Sequence, residues 1–241
     1  MTGSDPRQTD ADHVTSSPPA ARLVDVAVPK DPAGIVLVLH GGASRRRGMP
    51  VSPTQLSVLR MVPVASRVAR ASRGRLAVLR LLNSSRGWDS EHTPLQDVEW
   101  ALEEIARRFG GDLSVCLVGH SLGGRAALLA AGRPSVGGVV ALAPWVYPTD
   151  IAADVHGTPI VIIHGDADRV ASPERARQVA RELGSETDVA YVSVKGGTHS
   201  MLSRLETFDG LAVRCAVWML LGEADGAVVE RIAAGEAWLD A

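Results

Sequence analysis

The stretch Ile35-Val36-Leu37-Val38-Leu39 is apolar at every position. A strand with no polar face is covered on both sides, the environment of a parallel sheet packed between helices. Nearly unbroken apolar runs return at 76–82, 113–118, 138–143 and 159–164. The segment 23–28 alternates instead and predicts an edge or outer strand, and 189–194 predicts the last strand of the series. Between these runs the period changes. Over 94–109, Leu95, Val98, Leu102, Ile105 and Phe109 fall at helical spacing, and Gly110 and Gly111 stop the helix. Further helices are predicted over 54–71, from Arg125 until near Gly132 and Pro134, over 173–183, and over 208–221 and 226–239. Strands alternating with helices predict a doubly wound, mainly parallel α/β sheet of about seven to eight strands flanked by helices.

Residues 1–22 are rich in Asp, Ser, Thr and Pro and lack the apolar core of a secretory signal. They read as a disordered tail, with 23–241 as a single α/β domain and the cytoplasm as default location. Hydrophobic residues make up 46% of the chain, charged residues 22%, and the net charge is -2. That balance implies no nucleic-acid partner, and no apolar run is long enough to span a membrane. Cys116 and Cys215 read as buried thiols rather than a disulfide or metal site. Oligomeric state is not legible.

In a sheet of this kind, functional side chains gather beyond the carboxyl ends of the strands. The residues there are His40-Gly41-Gly42, the 83–89 loop, Ser121, Trp145 with Tyr147, the segment His164-Gly165-Asp166-Ala167-Asp168, and Gly196-Gly197-Thr198-His199. They include a nucleophile, an acid and a base in that chain order. Gly119-His120-Ser121-Leu122-Gly123 lies where an apolar strand turns directly into a helix-forming run. Gly-x-Ser-x-Gly in that setting is a nucleophile elbow: the glycines admit a tight reversal, and the serine is lifted above the sheet edge on strained backbone. Read as bare structure, Ser121 is a helix N-cap, and either Asp166 or Asp168 is a turn-capping residue.

Four pieces in order after four predicted strands resemble the α/β-hydrolase superfamily over roughly 23–221. They are the His40-Gly41-Gly42 loop, the elbow, the His164 to Asp168 segment and the Gly197-Thr198-His199 loop. The resemblance implies Ser121 as nucleophile and His199 as general base. It implies Asp168 as the orienting acid, with Asp166 as rival. Among the seven histidines, His199 is the only one after Asp168. His40 and His164 read as strand-end residues bonded to backbone, and His120 as packing beneath the elbow. His13, His92 and His156 have no supporting context. The oxyanion hole is expected from the Leu122 N–H and from Gly42, with Ala43 as alternative, and Gly41 beside the substrate. No metal or organic cofactor is implied.

Residues 144–158 are too few for a helical cap of several elements. An open site for small to medium acyl groups is therefore expected; buried lipid tails would need another cover, such as the loop and helix over 43–71. Trp88, Trp145 and Tyr147 are candidate pocket walls or ordinary core aromatics. Arg45-Arg46-Arg47 is a solvated basic loop or an attractor for a substrate anion. The expected activity is ester hydrolysis through an acyl-enzyme. Thioester or peptide cleavage by the same triad, or non-hydrolytic lyase or perhydrolase chemistry on this fold, are the alternatives. A non-catalytic binding module is a further class, disfavoured because all three triad positions are present.

Overall fold

The structure, a computed structural model, describes residues 20–42, 51–151, 154–155 and 157–241. Ala43, Arg45, Arg46, Arg47, His13, His156 and residues 1–19 of the expected tail lie outside the described residues.

Eight strands form one sheet: β1 (Arg22–Ala27), β2 (Gly34–Leu39), β3 (Leu76–Leu82), β4 (Val115–His120), β5 (Val136–Leu142), β6 (Ile160–Gly165), β7 (Val189–Val194) and β8 (Trp238–Asp240). Their spatial order is β1-β3-β2-β4-β5-β6-β7-β8. Only the edge strand β1 runs antiparallel, against β3. The helices are α1 (Leu56–Leu59), α2 (Val62–Ala71), α3 (Thr93–Phe109), α4 (Leu122–Leu129), α5 (Pro173–Leu183), α6 (Leu205–Leu221) and α7 (Ala227–Ala233).

The unbroken apolar runs are explained by two cores, one on each face. Ile35, Leu37 and Leu39 of β2 pack with Val98 and Ile105 of α3, Ala127 of α4 and Val179 of α5. Val36 and Val38, the alternate residues, pack with Val64 and Val68 of α2, Phe208 and Cys215 of α6, and Ile232 of α7. Each fully buried Val, Leu or Ile stabilises the fold by about 1.5–3 kcal/mol. Cys116 and Cys215 are both free and buried within the second core. Burial pushes the Cys215 thiol up to about 12, and Cys116 in the same direction.

Two expectations need correction. The helix expected over 54–71 is two helices, because Pro63 in the first turn of α2 lacks the N–H that a continuous helix needs from it. The helix expected over 226–239 stops at Ala233. Gly235 then takes φ 91°, and the chain enters β8, a parallel partner of β7. Strand 189–194 is therefore not the last.

Strand order reverses beside β2: its successor β3 lies on one side and β4 on the other. The loops leaving β2 and β4 thus diverge and leave a crevice at their carboxyl ends. Between β5 and β6 the described residues contain no helix or strand.

Phe208 is fully buried on the second core and also backs the turn before His199, where a Cβ on Gly197 would lie 2.9 Å from its ring. Phe208→Ala is expected to destabilise the protein by about 3–5 kcal/mol. Urea unfolding checks this through a lowered midpoint at an unchanged m-value.

Candidate active site

The elbow is built from bare backbone. A Cβ on Gly119 would stand 2.2 Å from the Gly123 carbonyl oxygen, and one on Gly123 would stand 2.6 Å from that of His40. With no side chains there, β4 passes straight into α4, and Ser121 takes φ 55°, ψ -115°. Such backbone costs of order 1–3 kcal/mol and persists only when its surroundings hold it. Three hydrogen bonds do so. The Ser121 amide donates to Leu142 at 3.0 Å, and its carbonyl accepts from Arg125 at 3.0 Å and Trp145 at 3.1 Å. Leu122 opens α4, so its N–H has no acceptor within the helix.

The hydroxyl thus presented meets His199. Ser121 Oγ is 3.0 Å from His199 Nε2, and His199 Nδ1 is 2.9 Å from Asp168 Oδ2. Ionised carboxylate only accepts, so Nδ1 carries the hydrogen of the neutral ring and Nε2 is free to accept from the serine hydroxyl. Asp168 Oδ1 accepts the Val170 and Ala171 amides at 2.8 and 3.0 Å. Burial alone would raise this carboxyl. Hydrogen bonds from His164, His199 and Val170, with the charge of His199, hold it well below the usual carboxylate range. Asp166 is exposed, and its Oδ1 accepts the Gly196 amide at 2.7 Å, bracing the turn that leads to His199.

Three histidines at strand ends hold the frame. His40 Nε2 accepts the Asn83 amide at 3.2 Å, so its Nδ1–H donates to the Gly41 carbonyl at 2.6 Å. This pins the loop after β2 against the elbow, where a Cβ on Gly41 would be 3.2 Å from Ser121 Cβ. Gly42 faces Leu122 and the Arg86 carbonyl, which a Cβ would approach to 2.3 Å. His120 packs under His199, ring centroids 5.1 Å apart, and its Nε2–H donates to the His199 carbonyl at 2.9 Å. Burial, the neighbouring His199 and Arg60 push His120 down to about 3, so it stays neutral. His164 departs from its expected backbone-only role, because its Nε2 reaches Asp168 Oδ2 at 3.1 Å. Arg60 donates to the Ser200 carbonyl and is anchored by fully buried Asp209 at 2.6 Å.

The candidate wall residues divide. Trp88 and Tyr147 lie over the Arg125 guanidinium, at 4.0 and 5.0 Å to their ring centroids. Arg125 is held by Asp150 through two 2.7 Å bonds, and Asp150 also accepts the Tyr147 amide. This cluster fixes the loop after β5. Trp145 instead lines a cavity of about 400 Å³ together with Asp168, Val170 and Arg175. A larger cavity of about 710 Å³ lies at the opposite ends of β6 and β7, lined by Ile160, Val189, Trp218 and Trp238, and contains none of these groups. Sequence reading missed the Arg125–Asp150 pair and the second contact of His164. The available signal for the histidines was that β2, β4 and β6 all run into one.

Among the described residues, no three or more His, Cys, Asp or Glu side chains are grouped as metal ligands. No helix among them is long and apolar enough to cross a membrane.

A family model described as the alpha/beta hydrolase family matches residues 101–208, which span the elbow, Asp168 and His199. The match to that family is carried by residues 101–208, and the sheet as a whole has the α/β-hydrolase fold. No curated protein sequence matches this chain. Its fold resembles solved structures at low identity. A putative alpha/beta hydrolase from Agrobacterium tumefaciens is 19% identical with TM-score 0.63, covering 86% of this chain and 94% of that one. A serine hydrolase without a lid from Xanthomonas campestris is 18% identical with TM-score 0.61, covering 87% and 99%. An esterase domain from a Rhodothermus marinus protein is 19% identical with TM-score 0.57, covering 82% and 90%.

Asp168 binds its proton more weakly in the folded protein than in the unfolded chain. The stability it contributes is therefore present above the ordinary carboxylate pKa of about 3.9 and is lost as pH falls below it. Asp168→Asn is expected to unfold at lower urea than wild type at pH 7, with the gap narrowing below about pH 4. Urea titrations across pH 3–7 measure the gap.

Proposed function

We propose that this α/β-hydrolase is a serine hydrolase that cleaves carboxylic esters of small to medium acyl groups. The observation that carries the reading is the continuous chain from Ser121 Oγ through His199 to Asp168, with spacings of 3.0 and 2.9 Å. These lie within the range for proton transfer between a nucleophile and its base.

In the proposed reaction, the Ser121 oxygen attacks the ester carbonyl carbon and its proton passes to His199 Nε2. The carbonyl oxygen becomes an oxyanion, held by the Leu122 and Gly42 N–H groups. Collapse expels the alcohol, which takes the proton from His199, and leaves acyl-Ser121. Water then attacks with His199 as base, releasing the carboxylic acid and restoring the hydroxyl. Asp168 holds the ring with Nδ1–H toward itself and stabilises the imidazolium as it forms. Removing one oxyanion donor typically costs about 2.7–4 kcal/mol.

Several observations support an ester of modest size. The described connection from β5 to β6 has no helix to serve as a cap. α1, tied to the Ser200 carbonyl through Arg60, presents Leu56 (84% exposed) and Leu59 (45% exposed) as an open apolar rim. One structural relative of the same fold is an esterase domain. The single-domain organisation over 23–241 belongs to the same proposal.

The test is a chain-length series of nitrophenyl esters. Turnover is expected to be highest for short and medium chains and to vanish in Ser121→Ala. Asp168→Asn is expected to lower kcat by about 10⁴, the effect of losing the orienting acid, while Asp166→Asn retains most activity. Equal activity in Ser121→Ala, or loss in Asp166→Asn alone, overturns the assignment.

A further inference from the structure

His164 is the next-to-last residue of β6, four residues before Asp168, and its side chain is fully buried. Its Nε2 stands 3.1 Å from Asp168 Oδ2 and 3.3 Å from the Ala171 carbonyl oxygen. Both neighbours are acceptors, so Nε2 carries the hydrogen. Nδ1 is buried with no partner among the described residues. Burying that atom unpaired is unfavourable, and an apolar residue would fill the space without the penalty. What the imidazole adds is its contact with the acid.

Asp168 is thus gripped at four points. Val170 and Ala171 amides hold Oδ1, while the two imidazoles of His199 and His164 share Oδ2. We propose that His164 is a positioning residue for the triad, donating a second hydrogen bond to the carboxylate oxygen that His199 engages and so setting that carboxylate's rotation and charge. The inference rests on reading Ser121, His199 and Asp168 as the triad. Its consequence is electrostatic. A carboxylate oxygen that serves two donors attracts each less strongly, so imidazolium at His199 is stabilised less than by an unshared Asp168.

The groups facing this pair are few. His120 of β4 lies beside His199, and Arg60, between α1 and α2, acts on His120. Glu174 of α5 senses His164, and Tyr191 of β7 senses both Asp168 and Asp166. None of them changes in the variants below.

The experiment compares wild type, His164→Met and His164→Gln. Methionine removes the donor from an apolar side chain of similar reach; glutamine returns an N–H near the same place. With isotope-labelled histidine, the His199 ring is titrated by NMR without substrate, its signal assigned by loss in His199→Gln. The His199 midpoint is expected to rise by roughly 0.5–1 pH unit in His164→Met and to stay within about 0.2 unit of wild type in His164→Gln. The acid limb of kcat/KM on a nitrophenyl ester is expected to move by the same amount. An unmoved His199 midpoint in folded His164→Met overturns the inference. Should His164→Met fail to fold, the ring nitrogen shifts of His164 in wild type decide. Protonated Nε2 with bare Nδ1 supports the proposal, and the opposite tautomer contradicts it. A shifted midpoint without ester turnover would remove the hydrolytic reading and leave this pairing standing. Turnover with an unshifted midpoint would do the reverse.

Discussion

Two stretches of backbone touch at Gly119 and Gly123 with no side chain between them, and the rest of the site depends on that contact. A methyl group on either glycine would sit within 2.6 Å of a carbonyl oxygen. Because nothing intervenes, β4 turns directly into α4, and Ser121 accepts a positive φ that a serine elsewhere would avoid. The burial of Val118 and Leu117 below and of Ala126 and Leu128 beyond holds the reversal in place. Hydrophobic packing of the sheet thereby sustains backbone strain at one residue, and the strain aims one hydroxyl at His199.

A second layer of the design is the use of histidine at strand ends. His40, His120 and His164 follow the apolar runs of β2, β4 and β6, and each ties one loop to the frame. His40 holds the glycine loop against the elbow, His120 holds the His199 carbonyl, and His164 holds the acid. All three are buried. A buried imidazole serves here as a rigid tie between a strand end and a loop. Only His199, partly open at its edge, faces the hydroxyl.

The parts of this arrangement that were legible in the sequence are those written in local pattern. The unbroken runs at 35–39 and 159–164 announced strands covered on both faces, and the glycine spacing around Ser121 announced the turn. What was missed depends on partners distant in the chain. Trp238-Leu239-Asp240 becomes a strand only because Tyr191-Val192-Ser193 offers it a ladder; its own three residues carry too little pattern. Pro63 lies inside a helical period that ignores its missing N–H. Arg125 looks like a surface residue of α4 until Asp150, 25 residues later, folds back to bury it between Trp88 and Tyr147. The spacing of His164 and Asp168 was visible, but not that both side chains would turn toward each other beneath His199.

The central claim is that the imidazole of His199 turns the Ser121 hydroxyl into a nucleophile. The most direct measurement is the rate and site of covalent labelling by a fluorophosphonate, read by peptide mass spectrometry in wild type and His199→Gln. The account predicts a single adduct on Ser121, forming about 10²–10⁴-fold more slowly once the base is removed. No adduct in folded wild-type protein, or labelling at an undiminished rate in His199→Gln, would contradict it.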